Sequence, residues 1–197
     1  MKRVLPHLLF AAAALTALPA AAQTALPPAL IQSCESCHGK GGDSQKTDIP
    51  RLNGQSATYL RERLREFRDP TRNSPHANLM MWQNAARISD GEAAALADYF
   101  SRQMPPAKSG FGSLAEIGGK LFHEGGPPGI AACATCHGLD GEGLGDAPRI
   151  AGQHEDYLIN QLDAFMLTAR IGAPMNHHTW DITQEQIRAV AAYLAHD

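Results

Sequence analysis

Apolar positions recur with helical spacing along most of the chain, and the rhythm is heard twice. Leu60, Leu64 and Phe67 stand at i, i+4 and i+7, and Leu158, Leu162 and Phe165 repeat them, the stripe that a half-buried helix needs. ISDGEAAALADYF (88–100) and ITQEQIRAVAAYL (182–194) each open on a capping-box pattern, Ser89 with Glu92 and Thr183 with Gln186, in which a hydroxyl accepts a free N–H of the first turn. Their inward faces are predicted to carry Leu96 and Phe100 in one copy and Val190 and Leu194 in the other. Another helix is predicted over SLAEIGGKLF (113–122), capped by Ser113 with Glu116 and buried through Leu114, Ile117 and Leu121. Its counterpart in the first half is a short helix after Pro27 and Pro28 with Leu30 and Ile31 to bury. No alternating pattern of useful length appears, so the expected class is all-α.

The repeat extends beyond the stripes. PRLNGQSATYL (50–60) matches PRIAGQHEDYL (148–158), and MPPAKSGFG (104–112), rich in Pro and Gly, reads as a linker. The predicted organisation is one domain over residues 23–104, a linker over 105–112 and a second domain over 113–197. Domains of about 80–90 residues have limited apolar area and gain from an extra staple. Ahead of them, Lys2 and Arg3 precede an apolar run from Leu8 to Leu18 with small residues at Ala20 and Ala22. Residues 1–22 therefore read as a secretory signal cleaved before Gln23. The run is short for a membrane span, and the mature protein is expected in an exported compartment.

Without the leader the formal charge is −5, divided as +1 over residues 23–107 and −6 over 108–197. That balance excludes a nucleic-acid binder, which shows a strong basic excess on one domain. Arg61, Arg63, Arg65, Arg68 and Arg72 are interleaved with Glu62, Glu66 and Asp69 and read as a solvated helix face.

All four cysteines lie in two pentads, CESCH (34–38) and CATCH (133–137). Pairs only three apart are ill placed for structural disulfides. Cys-x-x-Cys-His is the attachment signature of c-type haem: two thiols meet the two vinyl groups along one porphyrin edge, and the following imidazole, His38 or His137, binds iron. Zinc is the main alternative for such donors, but it wants a fourth ligand and a wider Cys–His separation. The second axial ligand is expected before the last helix of each half. Met81 lies eight residues before Ser89 and Met175 eight before Thr183, with Met80 one out of register. A single methionine there would read as core packing; the matched positions favour ligation. His76, His177 and His178 keep a histidine alternative open. Pro50 and Pro148 each follow the ligand histidine closely, and a proline carbonyl accepting its Nδ1–H would fix the ring.

In CESCHG and CATCHG, PRLNGQ and PRIAGQ, the Tyr-Leu helix starts at Tyr59 and Tyr157 and the closing Asp-Tyr-Phe and Ala-Tyr-Leu helices, the chain resembles the di-haem class I cytochromes c of the cytochrome c4 type over nearly its whole mature length. The resemblance implies two tandem class I domains about a pseudo-twofold axis, with haem propionates facing across the interface. It implies two covalently bound haem c groups, thioethers at Cys34, Cys37, Cys133 and Cys136, and axial pairs His38–Met81 and His137–Met175. It implies a periplasmic electron carrier, loosely associated with the inner membrane, that takes electrons from a quinol-oxidising complex or dehydrogenase and passes them to a terminal oxidase. The rival readings are a haem enzyme of the thiosulfate-dehydrogenase kind, the electron-accepting subunit of a dehydrogenase, and a haem-based ligand sensor. The chain departs from the family's pattern in three places: the first half lacks a glycine-bearing N-terminal helix to meet the Tyr99 helix, HEGGPPGIAA (123–132) precedes the second pentad, and the Arg170–Met175 loop is short.

Overall fold

The computed structural model describes residues 26–69, 75–127 and 129–196, the side chains of 75–79 and 173 excepted. The leader expected over residues 1–22, Arg72 and the His76 side chain lie outside these. Among the described residues the structure is helical, with only isolated bridges, Gly126 to Ile130 and Gln153 to Ala195, and no strands.

The first half comprises α1 (Pro28–His38), α2 (Ala57–Arg68), α3 (Pro75–Ala85) and α4 (Asp90–Ser101). Pro28 begins α1, where its missing N–H is needed by no helical bond. Ser56 caps α2, its hydroxyl accepting the Tyr59 N–H at 3.4 Å, and Ser89 with Glu92 forms the expected capping box on α4. Leu60, Ile88, Ala93, Leu96, Ala97 and Phe100 make the buried core, with Leu30, Ile31 and Cys34 of α1 against it. α1 is tied to α4 by a polar contact as well, since the Tyr99 hydroxyl donates to Glu35 Oε1 at 3.0 Å.

The second half comprises α5 (Ser113–Glu124), α6 (Ala134–His137), α7 (Glu155–Met166), α8 (Ala173–His178) and α9 (Gln184–Leu194). The Thr183–Gln186 capping box on α9 is present. Leu121, Phe122, Leu158, Ile182, Ile187, Val190 and Leu194 lead its core. The expectation for α5 needs correction. Gly112, not Ser113, is the N-cap, with the Glu116 N–H bonding the Gly112 carbonyl at 3.0 Å. Leu114 and Ile117 are 38% and 54% exposed, and the buried face is Ala115, Gly118, Leu121 and Phe122. The cause is a close crossing. A Cβ on Gly118 would stand 1.8 Å from the Ala189 carbonyl oxygen of α9, so α5 must turn its small residues inward to let the backbones approach.

Candidate functional site

The two pentads lie at helix ends. Cys34, Cys37 and His38 occupy the last two turns of α1; Cys136 and His137 close α6, with Cys133 just ahead of it. Residues three or four apart share a helix face, so each half offers two thiols and an imidazole to one side. No disulfide joins any of the four cysteines. Cys37 and Cys136 are exposed, while Cys34 and Cys133 are half-buried, and burial pushes their thiols up.

Both histidines are buried, at 8% and 7% exposure. Nδ1 of His38 lies 2.8 Å from the Pro50 carbonyl and Nδ1 of His137 lies 2.9 Å from the Pro148 carbonyl. A carbonyl only accepts, so Nδ1 carries the proton in both rings and Nε2 holds the lone pair. Among the described residues neither Nε2 makes a hydrogen bond. Burial lowers both imidazole pKa values, partly opposed by the proline hydrogen bonds, which keeps the rings neutral as metal ligands must be. Two oriented neutral imidazoles, each beside a thiol pair, fit covalent haem. Four buried guanidinium Nε atoms have no hydrogen-bond partner; that of Arg51 lies 3.2 Å from the Asp43 carboxylate, and those of Arg63, Arg149 and Arg170 are in keeping with an anionic group such as a propionate nearby.

The methionines sit on the helix before the last in each half: Met81 on α3 and Met175 on α8, both half-buried, with Met80 60% exposed. The Met175 carbonyl anchors the end of α8, accepting the Thr179 hydroxyl at 2.8 Å and its N–H at 2.9 Å. Of the alternative histidines, His177 is exposed and His178 half-buried, their rings 5.5 Å apart.

A second assembly joins the halves. Gln153 accepts the Arg51 N–H through Oε1 at 2.8 Å and donates from Nε2 to the Arg51 carbonyl at 3.1 Å. Gln55 does the same to Arg149, at 2.9 Å and 2.7 Å. Contacts exchanged in this reciprocal way are the mark of a twofold relation. Around them, His154 Nε2 lies 2.9 Å from the Ser44 carbonyl, Arg51 Nη1 donates to the carbonyls of Gly152 and His196, and Arg170 Nη2 reaches the Tyr59 hydroxyl at 3.0 Å. The repeated Gly-Gln marks these glutamines in sequence without showing what they bind, and His154 falls opposite Ser56 in the repeat, so no matched position points to it.

The family model described as cytochrome c matches residues 28–102 and again 115–196. The chain is 36% identical over 194 residues to cytochrome c-552 of Acidithiobacillus ferridurans, covering 95% of this chain and 84% of that protein. It is 37% identical over 206 residues to the thiosulfate dehydrogenase electron acceptor of Thiomonas intermedia (strain K12), covering 99% and 91%. The solved structure of cytochrome c4 from Acidithiobacillus ferrooxidans superposes with a TM-score of 0.78 at 37% identity, covering 83% of this chain and 98% of that one.

Proposed function

The chain belongs to the cytochrome c family, as a di-haem electron-transfer protein of the cytochrome c4 type, and from that premise we propose that it carries electrons in a respiratory chain, from a dehydrogenase or quinol-oxidising complex towards a terminal oxidase. Haem c, bound covalently in each domain, supplies an iron that alternates between ferrous and ferric. The chain's residues then set how that iron is held. Cys34 with Cys37, and Cys133 with Cys136, would be the tethers; Nε2 of His38 and of His137 and the sulfurs of Met81 and Met175 would be the donors to iron. The domains are taken as residues 23–104 and 113–197. A thioether partner to histidine would favour the ferrous state and raise the potential, as suits a carrier feeding an oxidase. Histidine and methionine together would supply the iron's ligands from the chain itself and leave no place for a substrate, which supports a carrier over an enzyme. Export to the periplasm follows from the leader and the pentads.

The observation that carries this reading is the matched orientation of the two histidines, each held by a proline carbonyl with Nε2 left free. Its test is optical. The ferric protein is expected to show the long-wavelength sulfur-to-iron charge-transfer band at two-haem intensity, and Met81→Ala and Met175→Ala are each expected to remove about half of it. A band that survives both changes together overturns the axial assignment. The relation to a protein named as a thiosulfate dehydrogenase's electron acceptor, nearly end to end, supports a dehydrogenase as the donor; stopped-flow reduction by a thiosulfate-oxidising dehydrogenase, set against reduction by a quinol-oxidising complex, decides between the two donors.

A further inference from the structure

We infer that Gln55 and Gln153 tune the haems crosswise: Gln153, in the C-terminal domain, strengthens the iron ligand His38 of the N-terminal domain, and Gln55 does the same for His137. The inference rests on His38 and His137 being iron ligands. It comes from one feature of the two assemblies described above: they share a peptide group. The carbonyl of Pro50 receives His38 Nδ1 at 2.8 Å, and the N–H of that same peptide unit, belonging to Arg51, donates to Gln153 Oε1 at 2.8 Å. In the other half the Pro148 carbonyl receives His137 Nδ1 and the Arg149 N–H donates to Gln55 Oε1, both at 2.9 Å.

An amide whose N–H is accepted by a neighbour becomes a better acceptor at its own oxygen, because hydrogen bonds in a chain polarise one another, all the more in a buried place. Gln55 and Gln153 are both 7–8% exposed. Their amides are also locked in orientation. Each Oε1 additionally accepts the next residue's N–H, from Ser56 at 2.9 Å and from His154 at 3.2 Å, while each Nε2 faces a carbonyl, so the oxygen cannot exchange places with the nitrogen. The outcome is a relay from imidazole N–H through one peptide group to a glutamine of the other domain. A stronger acceptor at Nδ1–H makes the imidazole more basic and a stronger donor to iron. That favours ferric iron and lowers the potential.

The test uses the haem-loaded full-length protein. In Gln153→Leu the His38 Nδ1–H resonance of the ferrous protein, assigned through its neighbours Ile49 and Pro50, is expected to move upfield while that of His137 stays. A spectrally resolved redox titration is expected to show a threefold to tenfold shift towards ferrous at the N-terminal haem alone, about 30–60 mV for one electron at 59 mV per decade. Gln55→Leu is expected to give the mirror result, acting on His137 and the C-terminal haem. Gln153→Met matches the length of glutamine without its amide, so it is expected to move the His38 resonance as Leu does; it also provides a second folded variant should Leu at this position disrupt the interface. Equal shifts at both haems, a shift confined to the haem in the glutamine's own domain, or a His38 resonance that ignores these changes would each overturn the relay. The measurement concerns the histidine side only, so a missing sulfur band in the parent protein defeats the methionine assignment and leaves this test standing.

Discussion

Replacing Gly118 by Ala probes the contact on which the C-terminal domain closes. The added Cβ would lie 1.8 Å from the Ala189 oxygen and 2.4 Å from its carbonyl carbon, where an ordinary carbon–oxygen contact is about 3.3 Å. The obstacle is backbone within α9, so no side chain can swing aside, and α5 has to retreat by roughly 1.5 Å. A gap of even 0.5–1 Å forfeits about a quarter to a half of a contact's dispersion energy. Leu121, Phe122, Ile187 and Val190 share this core and are all buried; at roughly 2 kcal/mol of burial each, losing about a quarter to a half costs about 2–4 kcal/mol. Greater helix propensity of Ala returns up to about 1 kcal/mol. The net loss is therefore about 1–3 kcal/mol, the usual range for overpacking, and for a domain of this size it lowers Tm by about 4–24 °C. Thermal unfolding of the haem-loaded protein, followed by circular dichroism, is the assay. Gly91→Ala serves as the control, since a Cβ there meets nothing within 4 Å, and it should be neutral or stabilising by up to about 1 kcal/mol. If Gly118→Ala unfolds at or above the parent temperature while the control behaves as stated, the close crossing is not what sets the face that α5 buries.

Two further predictions concern the capping boxes. Thr183→Ala removes the hydroxyl that accepts the Gln186 N–H at the start of α9 and should cost about 1 kcal/mol, read by denaturant unfolding; no change would mean that water replaces the cap at no loss. At α4, hydrogen bonds from the Ser89 hydroxyl and then from its backbone N–H hold the Glu92 carboxyl below the ordinary glutamate range. A carboxylate depressed in the folded state contributes stability that is present above its unfolded pKa and lost as pH falls through the folded value, so Glu92→Gln should flatten the fall in stability between about pH 6 and pH 3, and an unchanged slope would refute the linkage.

The helices were legible because their signals are local. Capping boxes at Ser89 and Thr183, and stripes at Leu60 and Leu158, depend on residues three or four apart, and both caps formed as expected. The pentads were legible for the same reason. The error at α5 shows where local reading stops. Leu114 and Ile117 make the better apolar stripe, yet the helix presents Ala115 and Gly118, because the crossing with α9 rewards a close approach that no periodicity within residues 113–122 can announce. His154 is a similar case. Its partner is the Ser44 carbonyl, more than a hundred residues away, and a backbone acceptor leaves no mark in sequence. Gln55 and Gln153 did leave one: they recur at matched positions after the same Pro-Arg pair. A repeat shows that two positions match but not which half each one serves, and here each glutamine serves the other half.

That exchange explains why glycine precedes glutamine in both copies. The linker passes beside the twofold relation and its two prolines divide the labour: a Cβ on Gly54 would stand 2.6 Å from the Pro105 ring, and one on Gly152 would stand 2.2 Å from the Pro106 carbonyl oxygen. Both glycines also have positive φ, 66° and 75°, a region that L side chains avoid. The Gly lets the linker lie close, and the Gln next to it reaches the opposite domain, so the pair closes the interface from both sides. Contacts made only once are then laid over this symmetric frame. Asn53 Nδ2 donates to the Met104 carbonyl at 2.8 Å, while its counterpart Ala151 has no side-chain donor; Arg170 and His154 reach from the C-terminal domain to Tyr59 and Ser44. A frame that fixes both halves in one geometry, with single-sided contacts added to it, lets the surroundings of the two haems diverge while their placement stays the same. Two sites built on one repeated pattern can then differ in potential while His38 and His137 keep the same proline contacts.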